Sequence, residues 1–534
     1  MAKQNLTRRD FLKLGTGTAV ALGLGTACTV PTPPQPAEAP APAAAPADTP
    51  APEPAGPKAG GSLVFATSVA TPNLDPQMEI SDARMRRSHL MYDTLVEWGD
   101  DFTIQPGLAE SWDTEGTTWT FNLRKGVQFA NGKELDAEDV IYSMQRVLDS
   151  PGAGFYNSIV DMKAVDEHTV QFELSQPSAP LMAALGGRYA FILPKGAAEE
   201  TDLKQEAVGS GAFNVAEFVQ NQRLVLQKNP NYWNADNVYL DELTIQIIPD
   251  EANIVPALRS GDVHLTIFED SKNYLLTKNE PDLVTERWPA ARWDVLDFPL
   301  DVEPFNNVKL RQAIASALDR ESIMQAAIGG LGAHLYVLPS AIWPSLPPEE
   351  HPFFKRDVER AKELLAEAGY PDGLDLMLTT IVGYTALGAA AQVIAENLKE
   401  IGLNVEIQPQ ELGIWIDAFL AGTFDTFTMN AWGGWIDPDM PFYNHFHVPP
   451  MGKDFRGWDN EEISELLDQG RFNVDRAERE KTYIEIQEMI AEQVPLIPLY
   501  SADIVTAQQS GVQNFKQHPS GYYHNLRWVS LEEA

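Results

Sequence analysis

Cysteine is almost absent from this chain of 534 residues, since Cys28 is the only one. A single cysteine excludes an intrachain disulfide and any metal site built from several thiolates. Cys28 also precedes the sequence whose pattern is typical of a folded domain, which begins near Gly60. Its position therefore indicates a role in processing.

Positive charge is also scarce. Lysine and arginine number 39 against 76 aspartates and glutamates, which gives a formal net charge of −37. Such a balance argues against nucleic acid and against an anionic membrane surface as partners. The composition is otherwise globular, with 44% hydrophobic and 9% aromatic residues. Because 534 residues exceed what one core organises, we expect two or three domains.

The chain lacks the short motifs of common enzymes: G-x-S-x-G, the P-loop, the dinucleotide fingerprint and H-E-x-x-H. Its carboxylates are abundant, but spacing singles out no acid–base pair. His445 and His447 have a spacing that can chelate a metal, yet further ligands are not evident. His518 and His524 are isolated and typical of surface or turn positions. We expect no catalysis, no cofactor and no metal site, with a secreted hydrolase as the alternative.

The amino terminus has the features of an export signal. Residues 7–13, TRRDFLK, precede an apolar segment at 14–27 that is too short and too rich in glycine for a stable membrane span. The twin arginines resemble signals of the Tat route. Ala27-Cys28 resembles a lipoprotein cleavage site with lipid on Cys28, although Gly25 replaces the usual leucine. We predict a signal over residues 1–28.

Residues 29–58 are rich in proline and alanine and contain a few acids. Such a composition cannot build a core and behaves as an extended spacer. We interpret the spacer as a linker that holds the folded part away from a membrane to which a single lipid tethers it. The sequence therefore predicts a lipid-anchored, extracytoplasmic protein.

Residues 424–439, FDTFTMNAWGGWIDPD, have the pattern of a buried strand followed by a binding loop. The strand breaks at Gly433-Gly434, which Trp432 and Trp435 flank. Loops after the carboxyl ends of strands bind ligands in open α/β sheets. Two aromatic faces and the carboxylate of Asp437 suit a small polar organic molecule. The alternative is a core strand that ends in an ordinary turn.

Local patterns predict several further elements. Residues 81–98 fit a helix whose Arg84, Arg86 and Arg87 are solvated rather than bound to an anionic ligand. Residues 118–123 alternate as a half-buried strand, and Asp136 is suited to be the N-cap of the next helix. In the second half, strands at 374–382 and 404–409 flank a helix at 386–401, which predicts a parallel, right-handed βαβ unit. Helix 357–370 ends before Pro371.

Several segments together resemble family 5 of the extracytoplasmic solute-binding proteins. These are the components of ABC importers that bind dipeptides, oligopeptides, oligosaccharides or nickel chelates. The resemblance runs from about Gly60 to the carboxyl terminus. The segments that carry it are LAESW at 108–112, TWTFNLRKGVQFANGKELDAEDV at 118–140, GSGAF at 209–213, LVLQKNPNYW at 224–233, VKLRQAIASALDR at 308–320, the loop at 424–439 and PLIPLY at 495–500.

The resemblance implies an α/β, two-lobed periplasmic-binding-protein fold that closes on its ligand like a flytrap, with an extra subdomain on the first lobe. We expect lobe I to comprise residues 59–97, 205–300 and 501–534, and lobe II to comprise 301–500. The extra subdomain is expected over 98–204. Hinges are predicted near 298–302 and 498–502.

The resemblance also implies that the protein binds its ligand at a site between the lobes. It further implies that the protein is a monomer and that its partners are the permease subunits of an ABC transporter. Dipeptide-binding members hold the α-amino group with an acid inside the tryptophan loop. Trp435 or Ile436 aligns there, and a shift of one or two residues brings in Asp437. Metal chelates are less favoured because Asp439 replaces a histidine. As the ligand class, we favour peptides over oligosaccharides. The candidate ligand contacts are Ser68, Asn73, Leu74, Tyr384, Trp432, Trp435 and Asp437.

Overall fold

The structure is a computed structural model that describes residues 57–78, 85–187, 189–433, 435–448 and 457–532. The predicted signal, Cys28 and nearly all of the predicted linker lie outside the described residues. Contacts within the chain group residues 56–534 into one unit. None of the helices in the described ranges is both long enough and apolar enough to cross a membrane.

The strands fall along the whole described chain. In chain order they are β1 Ser62–Thr67, β2 Val96–Trp98, β3 Ile104–Pro106, β4 Ala109–Glu115, β5 Thr118–Leu123, β6 Ile159–Asp166, β7 Thr169–Leu174, β8 Phe213–Val219, β9 Arg223–Lys228, β10 Glu242–Ile247, β11 Leu265–Phe268, β12 Leu283–Trp288, β13 Arg292–Asp297, β14 Gly332–Ala333, β15 Leu374–Ile381, β16 Leu403–Gln410, β17 Phe427–Gly433, β18 Leu496–Ala502, β19 Ile504–Gln509, β20 Val512–Gln513 and β21 Ser530–Leu531.

The α-helices are concentrated in the second half. They are α1 Ala137–Leu148, α2 Leu181–Leu185, α3 Ala197–Glu200, α4 Ile254–Ser260, α5 Tyr274–Thr277, α6 Val308–Ala317, α7 Arg320–Ile328, α8 Val358–Glu367, α9 Thr385–Lys399, α10 Leu412–Ala421, α11 Asp439–Phe446, α12 Glu461–Phe472 and α13 Arg476–Gln493. Short 3₁₀ turns connect several of these elements, among them Ser88–Leu90 and His524–Trp528.

Seven strands form the sheet of lobe I, in the order β12-β19-β11-β1-β10-β9-β8. β1 lies at the centre and is parallel to both β10 and β11. Leu63 and Phe65 on β1 are fully buried, which explains the apolar character of this strand. The other pairs in the sheet are antiparallel.

Six strands form the sheet of lobe II, in the order β14-β18-β13-β17-β15-β16. β15 is parallel to β16 and to β17, and α9 connects β15 with β16. The predicted βαβ unit is therefore confirmed. Gly402, which follows α9, has a φ of +92°, a conformation that favours glycine after a helix. The predicted helix at 357–370 is confirmed as α8, with Asp357 as its N-cap.

Residues 98–204 contain the antiparallel sheet β4-β5-β7-β6, and α1 packs on β6 and β7. The predicted strand at 118–123 is confirmed as β5, whose side chains alternate between half-buried and buried positions. Asp136 is the N-cap of α1, as predicted. Its side chain accepts from the backbone N–H of Asp139, while the Asp139 carboxylate accepts from the backbone N–H of Asp136.

The chain passes between the two sheets at positions that differ from the predicted hinges. β12 belongs to the sheet of lobe I and β13 to that of lobe II, so the first crossing lies at 289–291 rather than at 298–302. The second crossing lies at Asp503, between β18 and β19, next to the predicted range of 498–502. The lobe boundary at 300 is therefore too late, because β13 already pairs with β17 and β18.

The helix predicted at 81–98 is wrong in the part of that range that the structure describes. Only Ser88–Leu90 forms a short 3₁₀ turn, Thr94 bridges to Phe191, and Val96–Trp98 is strand β2. Pairing with distant residues overrides the local pattern. Arg86 and Arg87, which were expected to be solvated, are 8% and 4% exposed.

Candidate functional site

Both crossing segments join the lobes at the carboxyl ends of parallel strands. In lobe I, Trp288 at the end of β12 lies opposite Ile504 at the start of β19, and Val505 lies opposite Phe268 at the end of β11. Because β11 is parallel to β1, the carboxyl end of β1 lies at the same edge. The loop after β1 therefore lies on the side of lobe I from which the chain crosses.

The same arrangement holds in lobe II. Arg292, the first residue of β13, lies opposite Gly433 at the end of β17. β15 is parallel to β17, so residues 382–384 follow at that edge as well. The carboxyl edges of the two sheets thus both flank the crossings. Such edges are where open α/β sheets bind ligands, and a cleft between two lobes is a common place for a small-molecule site.

Ser68 lies at the edge of lobe I, where its hydroxyl donates to Glu251 Oε1 at 2.8 Å. Glu251 also accepts from the backbone N–H of Glu269 at 2.8 Å and from Asn273 Nδ2 at 2.7 Å. Burial raises the pKa of Glu251, and the hydrogen bonds oppose that rise. Glu251 therefore fixes Ser68 and the loop after β11 in one network, which the sequence analysis did not identify.

Asn73 and Leu74 form the base of the next turn. The Asn73 carbonyl accepts from Arg87 at 2.7 Å, and its side-chain oxygen accepts from the backbone N–H of Asp75. Leu74 is only 1% exposed and packs in the core of lobe I. Leu74 is therefore a core residue beneath the edge of the sheet. Asn73 is half-buried, so part of it is accessible at that edge. Arg86 forms an ion pair with Glu269 at 2.7 Å.

Tyr384 and Trp435 lie at the edge of lobe II. Tyr384 is 40% exposed and immediately precedes α9. Trp435 is half-buried and packs against both large hydrophobic cores, the one centred on lobe II and the one centred on lobe I. The second core extends through residues 98–204, and the ring of Phe155 from that region lies 5.4 Å from the Trp435 ring, so Trp435 lies where lobe II meets residues 98–204.

Trp432 lies deeper, in the core of lobe II. It is 6% exposed, and its ring stacks on His445 with centroids 4.1 Å apart and packs on Trp293 at 5.8 Å. The alternative of core packing under the loop therefore describes this tryptophan. Its stacking partner His445 is thereby one of the core contacts of the loop.

Asp437 has both carboxylate oxygens engaged inside the protein. They accept from Arg479 at 2.6 and 2.9 Å, and Oδ1 also accepts from the backbone N–H of Asp439. Burial alone lowers the pKa of Arg479, but the Asp437 carboxylate outweighs burial and raises it. Asp437 is 5% exposed. This geometry gives Asp437 a structural role, and hydrogen bonding to a ligand remains a prediction that requires this pair to open.

Asp439 is anchored in the same way. It is fully buried, binds Arg471 with contacts of 2.6 to 3.1 Å and accepts from the Tyr483 hydroxyl at 3.1 Å. Arg471 and Arg479 come from α12 and the following helix α13, and the sequence analysis missed both. The available signal was the Asp-Pro-Asp turn next to an apolar strand. Buried carboxylates need cationic partners, so arginines from other segments of the chain were to be expected beside this turn.

The histidines are not arranged as metal ligands. Among the described residues, no group of three or more His, Cys, Asp or Glu could hold a metal ion. His447 stacks on Tyr443 with centroids 4.3 Å apart. The expectation for His518 and His524 is wrong, because they are 0% and 5% exposed and their rings lie 4.5 Å apart.

Comparison with known proteins gives consistent results. The family model of the bacterial extracellular solute-binding proteins, family 5 Middle, matches residues 103–453. The chain is 28% identical to heme-binding protein A of Haemophilus influenzae over 87% of this chain and 91% of that protein. The structure matches the periplasmic binding protein DppA of Helicobacter pylori in complex with the peptide STSA, with a TM-score of 0.77, 28% identity and coverage of 89% of this chain and 99% of that one.

A second peptide complex is similar to the same extent. The oligopeptide-binding protein AppA of Bacillus subtilis in complex with a nonapeptide matches with a TM-score of 0.76 and 26% identity, over 89% of this chain and 100% of that one. These matches span nearly the whole length of each relative. They therefore include both lobes and residues 98–204.

Proposed function

Because the chain belongs to family 5 of the bacterial extracellular solute-binding proteins, we propose that it captures a peptide between its two lobes and delivers it to the permease of an ABC transporter. Members of this family are extracytoplasmic solute-binding proteins rather than enzymes. The observation that carries the proposal is the arrangement of the two sheets, whose carboxyl edges both flank the crossing segments. Ser68, Tyr384 and Trp435 lie at these edges.

Peptides are supported as the ligand class by relatives that hold a tetrapeptide and a nonapeptide. The aromatic surface of Trp435 suits peptide side chains, and it equally suits sugar rings, so an oligosaccharide is the second ligand class. A hydrolase is disfavoured because two carboxylates at the edges are bound within the protein. Glu251 is held by Ser68 and Asn273, and Asp437 by Arg479.

Native mass spectrometry of residues 58–534, purified gently from the host, tests the ligand class. A co-purifying ladder of amino-acid residue masses supports peptides, whereas hexose or pentose spacing identifies an oligosaccharide. Soret absorption of the same sample reports haem, which one relative is named for binding. Small-angle scattering then tests closure, because bound ligand should reduce the radius of gyration. An unchanged radius at saturation contradicts the flytrap mechanism.

Replacing Trp435 by alanine should weaken peptide binding about tenfold or more and should cost less stability than the loss of a core tryptophan, because this ring is half-buried at the edge of lobe II. Trp432→Ala is the contrasting variant. It should cost about 3–5 kcal/mol of stability, because this ring lies in the core. Titration calorimetry and thermal unfolding separate the two effects. If both variants lose stability equally, Trp435 is also a core residue.

Attachment to the membrane is proposed through lipid on Cys28, which lies outside the described residues. Cys28→Ser should move the protein from the membrane fraction to the soluble extracytoplasmic fraction, since a single lipid is the proposed tether. Immunoblotting of fractionated cells measures the distribution. Retention of the variant in the membrane fraction contradicts lipid on Cys28 as the tether.

A further inference from the structure

Residues 98–204, the proposed extra subdomain, contact lobe II directly. The rings of Phe155 and Trp435 lie 5.4 Å apart at an angle of 52°. At a second place, the backbone N–H of Ala179 donates to the carbonyl of Arg471 at 2.9 Å. Both contacts run from loops of the subdomain to the segment of lobe II that follows β17 and to α12. Neither involves a strand of the sheet of lobe I.

Phe155 is held in place by its own subdomain. Its ring stacks on Tyr189, with centroids 6.2 Å apart and planes 20° apart. Tyr189 is 4% exposed, and a Cβ at Gly152 would lie 2.4 Å from its ring. Only glycine at 152 therefore leaves room for Tyr189 to support Phe155. The position of the Phe155 ring that contacts Trp435 is therefore fixed by neighbouring residues of the subdomain itself.

On lobe II, the two residues that contact the subdomain are linked to each other through ion pairs. Trp435 is two residues before Asp437, which Arg479 fixes. The side chain of Arg471 binds Asp439 at 2.6 Å, so the carbonyl that accepts from Ala179 is anchored to the same turn. Any motion of this turn relative to the subdomain must break the ring contact and the backbone hydrogen bond together.

We propose that the extra subdomain closes onto lobe II as part of ligand capture, with Phe155 as the residue that positions Trp435 in the closed cleft. This inference rests on the proposed function and extends it. Phe155 packs on Trp435 with the ring planes 52° apart, and the role assigned to it is to position Trp435. An aromatic pair of this geometry adds stability beyond the burial of its area, which corresponds to a change of about 2- to 10-fold in affinity.

Hydrogen exchange at the Ala179 amide reports this docking, because that N–H is protected by Arg471 only while the subdomain contacts lobe II. The experiment uses residues 58–534, with and without an enzymatic digest of casein as a mixed peptide probe. The variants are Phe155→Ala and the milder Phe155→Leu, which keeps an apolar side chain without a ring. The matched control is Phe218→Ala, a half-buried phenylalanine on β8 that packs against the same core.

The proposal expects the digest to increase protection of Ala179 in the unsubstituted protein. Both Phe155 variants should lower that protection and raise the half-saturating digest concentration by about 2- to 10-fold, whereas Phe218→Ala changes neither. The proposal is overturned if the Phe155 variants and the control show identical protection of Ala179, both with and without the digest. A digest that binds but leaves Ala179 unchanged also overturns it, because docking is then permanent. A digest that does not bind contradicts the peptide function, while the variant comparison still decides the role of Phe155.

Discussion

Replacing Arg479 by methionine is expected to lower the free energy of unfolding by about 3–5 kcal/mol. The guanidinium binds both oxygens of Asp437, and both side chains are less than a tenth exposed. Methionine fills part of the volume but leaves the Asp437 carboxylate buried without its cation. The cost of an uncompensated buried charge is much larger than the net contribution of the pair itself. Urea unfolding followed by tryptophan fluorescence measures the loss.

Two further variants separate the ion pair from packing. The double variant Arg479→Met with Asp437→Asn should recover much of the lost stability, because no charge is then left buried. Arg223→Met removes a similar contact to Glu217 at a site where the two side chains are 50% and 43% exposed, and it should change stability very little. If Arg479→Met unfolds at the same urea concentration as the unsubstituted protein, the structural role assigned to the Asp437–Arg479 pair is contradicted.

The elements that the sequence predicts well are those fixed by local patterns. β15, α9 and β16 follow from an apolar run, from helical spacing and from a terminal glycine, so the βαβ unit required no knowledge of distant contacts. Asp136 is a similar case, because an N-cap is satisfied within its own first turn. The position of the loop after β17 also followed, since a strand that ends in glycines and tryptophans indicates its own loop.

Features decided by distant partners could not be predicted. The first crossing was misplaced because nothing in the local sequence of β13 assigns it to either lobe, and only its pairing with β17 places it in lobe II. The ion pairs of Asp437 and Asp439 join residues that are separated by 42 and 32 positions. Phe155 is 280 positions from Trp435, and nothing in the local sequence of either residue indicates their contact.

A cluster of three buried histidines is the second case with a large expected effect. His518 contacts His524 with ring centroids 4.5 Å apart, and His524 lies 5.6 Å from His89. All three are at most 6% exposed. Burial lowers the pKa of each, to about 4 for His518, and Arg527 lowers the pKa of His89 and His524 further. Asp100 and the Gly99 carbonyl partly offset the shift of His518.

The sign of the pH dependence follows from these directions. The unfolded chain binds a proton at each histidine below about pH 6.5, whereas the folded chain keeps the imidazoles neutral. Stability is therefore full above pH 6.5 and falls as the pH decreases toward the folded pKa, by about 1.4 kcal/mol per pH unit for each histidine. His518, with a folded pKa of about 4, should by itself cost about 2 kcal/mol at pH 5, and His89 and His524 add to this loss in the same direction. Asp93, whose pKa burial raises to about 6, opposes this trend by about 1 kcal/mol.

Urea unfolding at several pH values between 8 and 5 measures this slope. His518→Gln should make the curve shallower, because one of the three depressed groups no longer titrates. His168→Gln is the control, since this half-buried histidine lies on the turn between β6 and β7, away from the cluster, and should leave the slope unchanged. A slope that is the same in both variants means that the cluster takes up protons without unfolding. Since Trp98 stacks on both His518 and Tyr522 where the carboxyl-terminal segment returns to lobe I, acid should release this segment before it disrupts the sheet of lobe II.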